Sequence, residues 1–92
     1  MRKQDIEKYI NNSQYKWEHT RGKMFKCDKW ATLIGKCWVE VIIDDIMNIA
    51  SVMVCDDTKE YKTMPPTIEI KSIEQFDKII KQVEEDKGVK YE

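Results

Sequence analysis

The chain has 92 residues, 41% of them hydrophobic and 36% charged, and its sixteen Lys/Arg nearly balance seventeen Asp/Glu for a net charge of −1. That length allows one core and leaves little material for a deep, walled active site, while the charged fraction, above the ~25% of an average domain, implies a heavily charged surface. The balance excludes a polyanion imitating DNA over its whole surface and equally excludes a uniformly basic nucleic-acid binder.

The charge is unevenly spread. Residues 1–30 carry eight Lys/Arg against four Asp/Glu, residues 31–60 two against six, and residues 61–92 six against seven. A fold made from these segments can have a basic and an acidic side. No stretch approaches the ~18 apolar residues that cross a bilayer. Met1-Arg2-Lys3 has no apolar run behind it, unlike a signal peptide. Cys27, Cys37 and Cys55 are odd in number and far apart, which fits reduced thiols in the cytoplasm better than a disulfide framework. One domain spanning 1–92 is expected.

In chain order, residues 2–12 read as a short helix with Ile6, Tyr9 and Ile10 on one face, stopped by Asn11-Asn12-Ser13. Residues 15–28 read as a first hairpin: Tyr15, Trp17 and His19 alternate with polar neighbours, Arg21-Gly22 turns, and Met24 to Cys27 resumes. The run 32–43 is the strongest strand, with Cys37, Val39, Val41 and Ile43 on one face and Trp38, Glu40 and Ile42 on the other. A second run, Ile49 to Cys55, follows the turn residues 44–48. A single helix over 38–54 also matches the apolar spacing. The hairpin is preferred because β-branched residues lose rotamer freedom in a helix.

Glu60 to Thr63 extends as an edge strand, Pro65-Pro66 keeps the backbone extended, and residues 67–71 alternate as a strand. An exposed edge near 58–71 offers β-augmentation or dimerisation, which the prolines oppose. Ser72 and Gln75 form a capping-box pattern. It opens a helix over 73–86 with Ile73, Phe76, Ile79, Ile80 and Val83 on one face, i,i+4 charge pairs on the other, and Gly88 as its stop. The expected fold is α+β: an antiparallel sheet of four or five strands with an N-terminal and a C-terminal helix packed on one face.

Three constellations carry chemistry. Asp44, Asp45, Asp56, Asp57 and Glu60 form acidic turns that could dock on a basic partner or hold a cation, although the calcium-loop spacing is missing. Between the first two groups, Ile46 and Met47 put apolar side chains in a turn, a contact point for another protein unless the turn folds over the core. Tyr15, Lys16, Trp17, Arg21, Lys23, Lys26, Lys29 and Trp30 interleave aromatics with bases, the pattern of a stacking, phosphate-holding surface for single strands. Buried aromatics are the plainer reading. His19 with the three cysteines lacks zinc spacing, and a His19–Cys27 pair across the first hairpin lacks an orienting third group. No phosphate-loop, dinucleotide or hydrolase motif is present. Neither catalysis, a metal nor a cofactor is expected.

Residues 66–76, Pro-Thr-Ile-Glu-Ile-Lys-Ser-Ile-Glu-Gln-Phe, resemble the closing strand and capped helix of small proteins from phages and mobile elements of low-GC bacteria, some of them inhibitors of bacterial defence such as anti-CRISPR proteins. The resemblance implies a non-enzymatic inhibitor that occludes a host protein, with a CRISPR–Cas effector as one such target, acting in the host cytoplasm as a monomer or homodimer. It carries over no functional residue. The alternative is a small nucleic-acid-binding regulator working through residues 15–30.

Overall fold

The computed structural model describes residues 3–22, 26–56 and 66–85. Its elements are α1 (Lys3–Asn11), β1 (Glu18–Arg21), β2 (Cys27–Ile34), β3 (Cys37–Asp44), β4 (Ile49–Asp56), β5 (Ile68–Glu69) and α2 (Ile73–Glu84). The strands form one sheet in chain order, every neighbouring pair antiparallel. This is the α+β architecture that the sequence implies.

The strongest apolar run is not one strand. It breaks at Gly35-Lys36, a two-residue loop between the paired Ile34 and Cys37. Gly35 has φ +60, a left-handed conformation that suits the first position of a tight hairpin turn and that glycine adopts without a Cβ penalty. The first hairpin is shifted as well. Tyr15 and Trp17 precede β1, and β2 starts only at Cys27, where Gly22 N–H donates to Cys27 O at 3.0 Å. Lys23, Met24 and Phe25 lie outside the described residues, as do Asp57 to Pro65, so the expected strand at 60–63 falls there too. The strand expected over 67–71 contracts to Ile68–Glu69, too short an edge to template a further strand.

Residues 38–54 form the hairpin and not the helix. β3 and β4 pair over eight positions from Cys37↔Asp56 to Asp44↔Ile49. The faces of β3 follow the period-two pattern: Cys37, Val39, Val41 and Ile43 are buried, while their neighbours are only partly covered. Ile6 and Ile10 of α1 and Phe76, Ile79, Ile80 and Val83 of α2 join these residues, with Trp30, Ile34, Val52 and Val54, in one core cluster. Both helices therefore cover the same face. Val39, Val41, Val52 and Phe76 are fully buried, and each such side chain stabilises the fold by about 1.5–3 kcal/mol.

The helices are stitched side by side. The Tyr9 and Phe76 rings lie 4.9 Å apart. Tyr9 Oη donates to Asp77 at 2.7 Å and Tyr15 Oη to Glu84 at 2.8 Å. Burial, then the bond to Asp77, pushes the Tyr9 phenol well above its ordinary value. At the start of α2, Ser72 Oγ accepts from Gln75 N–H at 3.1 Å. Gln75 does not reciprocate at Ser72 but reaches one residue further: its Oε1 accepts from Lys71 N–H at 2.7 Å and its Nε2 donates to Glu69 O at 3.1 Å. The cap thereby ties α2 to β5. The helix ends at Glu84 with Glu85 as cap, before Gly88, which lies outside the described residues.

Candidate functional site

A charged network occupies the end of the sheet where β1, β2 and the β3–β4 loop meet the start of α1. Its hub is Asp28, whose side chain is 4% exposed. Arg21 is its cross-strand partner and donates to Oδ2 at 2.8 Å. Lys3 Nζ donates to the same oxygen. His19 Nε2 lies 2.8 Å from Oδ1; an ionised carboxylate only accepts, so Nε2 carries the proton. The imidazole also stacks on Trp30, 4.5 Å between centroids. Burial alone would raise the Asp28 pKa, but the bonds from Lys3, His19 and Arg21 outweigh it and hold the carboxyl down at about 2. Asp45 joins through Lys3 at 3.3 Å and Arg21 at 3.0 Å, and the bond from Lys3 leads in lowering its pKa.

The β3–β4 loop is shaped by its own carboxylates. Asp44 Oδ1 accepts from the N–H groups of Ile46 and Met47 at 2.9 and 3.0 Å, the local turn for which Asp is favoured. Asp45 N–H extends the β2–β3 ladder by donating to Lys26 O at 2.8 Å, which brings Asp45 beside Arg21. Asn48 closes the loop in a left-handed conformation, φ 55, one that Asn tolerates. Between these anchors the Ile46 and Met47 side chains stand 73% and 65% exposed. The turn does not fold over the core.

The second face of the sheet has no described element packed on it. Leu33, Trp38 and Cys55 are cross-strand neighbours there, followed by Ala31, Glu40 and Met53 and then by Lys29, Ile42 and Ser51. Leu33 is 51% exposed and Trp38 and Ile42 are half-buried, while Ala31 and Met53 on the same face are buried.

No protein-family model matches the chain, no curated protein is similar to it, and no solved structure is similar to it. Function has to be read from these surfaces alone.

The acidic groups lie apart, as the hairpin reading of 38–54 implies. Asp44 and Asp45 lie at one end of the β3–β4 hairpin and Asp56, paired with Cys37, at the other; Asp57 and Glu60 lie outside the described residues. The carboxylates of Asp44 and Asp45 are engaged by the chain's own amides and bases. They shape the loop instead of presenting free charge to a partner.

The nucleic-acid set is split as well. Tyr15, Trp17 and Trp30 line a groove of about 480 Å³ together with His19, so the aromatic half does converge. Trp30 is nevertheless a core residue, 7% exposed. Among the bases, Arg21 is held by Asp28 and Asp45, Lys29 lies 3.7 Å from Glu40 on the opposite face of the sheet, and Lys23 is not described. Lys16 and Lys26 remain exposed, one before β1 and one before β2.

The cysteines are likewise dispersed. His19 pairs with Trp30, not Cys27. Cys37 lies in the core, while Cys27 and Cys55 lie toward opposite ends of the second face, beside Asp44 and Trp38. No group of His, Cys, Asp or Glu among the described residues is arranged to hold a metal, and no described helix is long and apolar enough to cross a membrane.

Sequence reasoning missed Asp28 as a hub and Leu33–Trp38 as a surface. The first had a signal, one of only two acidic residues in the basic segment 15–30. The second follows only from knowing which face receives the helices.

Proposed function

We propose that the chain is a binding protein without catalytic activity that occludes a surface of a protein partner, with the Ile46–Met47 tip as its wedge. The observation that carries this reading is the exposure of two adjacent large apolar side chains on a loop already ordered by Asp44 and Asp45. Burying each in a partner's pocket is worth about 1.5–3 kcal/mol. A loop that is ordered beforehand loses little freedom on binding, so more of that energy appears as affinity. The two carboxylates, being engaged within the chain, add little attraction of their own.

The resemblance of residues 66–76 to closing segments of phage and mobile-element proteins supports a host protein as the partner, a CRISPR–Cas effector being one such target. The test is affinity capture from host extract with the wild-type chain and with an Ile46→Asp/Met47→Asp variant, followed by titration of the purified partner. The expected result is at least a tenfold loss of affinity, about 1.4 kcal/mol. Equal binding by the two proteins would refute the wedge.

A further inference from the structure

The aromatic groove is separate from that tip. It lies where α1 meets the segment before β1 and the β1–β2 ladder, and its lining includes Tyr15, Trp17, His19, Trp30, Glu7 and Ser13. Its volume, about 480 Å³, falls in the ~300–1,000 Å³ range of small-ligand clefts. Trp30 is 7% exposed and is stacked by the His19 ring, whereas Tyr15 and Trp17 are half-buried. Tyr15, Trp17 and His19 therefore supply the ring surface that a ligand reaches, with Trp30 behind His19.

The polar groups decide what fits. Tyr15 Oη donates to Glu84 at 2.8 Å, and His19 Nε2 donates to Asp28 at 2.8 Å. Trp17 Nε1 is buried and meets no acceptor among the described residues. These three donors are thus spent or shielded, and a phosphate or a base carbonyl cannot use them. Among the described residues no Lys or Arg lines the groove. Lys3 comes only to 4.0 Å from Glu7, because its ammonium is bonded to Asp28 and Asp45. Lys3 and Arg21 balance those two carboxylates, which leaves Glu7 as the net charge beside the rings. The faces of Trp and Tyr rings attract cations, and quaternary ammonium groups, which carry no N–H to satisfy, are held in this way by aromatic side chains.

We propose that this groove binds a trimethylammonium group, held against Tyr15 and Trp17 with Glu7 as its counter-charge. His19, fixed by Asp28, forms part of the wall. A trimethylated lysine in a peptide and a free amine such as choline carry the same group.

The test titrates the full chain with tetramethylammonium chloride, choline and a trimethyl-lysine peptide, against sodium chloride at equal ionic strength. Tryptophan fluorescence and Overhauser effects from the ligand methyl protons are read. The expected result is saturable binding with Overhauser contacts to the Tyr15 and Trp17 rings. The neutral isostere of choline, with carbon in place of the charged nitrogen, should bind at least tenfold more weakly than choline. Glu7→Gln should weaken binding several-fold with an unchanged circular dichroism spectrum, since Glu7 is partly exposed. Trp17→Phe, which keeps a ring, should retain more affinity than Trp17→Leu. A peptide bound at least tenfold tighter than choline identifies a protein ligand, and the reverse order a free amine. No saturable binding of any of the three cations overturns the inference. So does equal binding of the neutral isostere, or binding of nucleosides in place of the cations. The wedge is tested separately: Ile46→Asp/Met47→Asp should leave choline binding unchanged, and Glu7→Gln should leave the protein partner bound.

Discussion

Arg21 and Asp28 face each other across the β1–β2 ladder, with the guanidinium donating to Asp28 Oδ2 at 2.8 Å and to Asp45 at 3.0 Å. One arginine thus joins a buried carboxylate to an exposed loop. The base of the Ile46–Met47 loop is thereby tied to the sheet end.

Asp28→Ala should destabilise the protein by about 2–3 kcal/mol. Breaking a buried ion pair costs about 3–5 kcal/mol, but Lys3 and Arg21 are 30% and 51% exposed and keep Asp45 and water as alternatives, which reduces the loss. Urea unfolding measures it. A midpoint equal to wild type would show that the network does not support the fold.

The same carboxylate sets an acid limb. Its folded pKa, about 2, lies below the unfolded value of about 3.9. The stabilisation is therefore present above about pH 4 and is lost as pH falls through about 2, roughly 2–3 kcal/mol in all. Stability measured against pH should fall over that window in wild type and more shallowly in Asp28→Asn. Parallel curves for the two proteins would contradict the assignment.

Gly35→Ala should cost about 1 kcal/mol through backbone conformation alone. Its φ is +60, and an added Cβ meets nothing within 4 Å, so the penalty is that of the left-handed region for an L-residue. Gly35→Asn should recover part of it. Thermal unfolding of the three proteins ranks them, and a loss well beyond 2 kcal/mol in the alanine variant would indicate a steric cause instead.

Ser72→Ala should remove about 1 kcal/mol, the usual cost of an N-cap. Gln75→Ala should in addition release β5, because Gln75 bonds both Lys71 and Glu69. Hydrogen exchange at Ile70 N–H, which donates to Ala50 O at 2.8 Å, should accelerate in the glutamine variant. Unchanged exchange there would mean that the side chain does not hold the strand.

Much of the architecture was legible along the chain because it depends on near neighbours. Alternation assigned the faces of β3, β-branched residues chose the hairpin over a helix for 38–54, and Ser72 with Phe76, Ile80 and Val83 marked α2. The break at Gly35 was hidden by the continuity of the apolar residues on either side. Phosphate-holding and acidic docking both looked available because bases and acids were read separately. The fold brings Lys3, Arg21, Asp28 and Asp45 together from four segments, and there they neutralise one another.

Residue order by itself thus determined the two helices, the α+β class and the alternation that separates the two faces of β3, since each follows from local periodicity, caps and side-chain shape. Only the tertiary structure decided which charges remain available and which apolar side chains remain uncovered. Both depend on where the helices dock and which distant residues meet, and that is what left Ile46 and Met47, already singled out by their place in a turn, exposed.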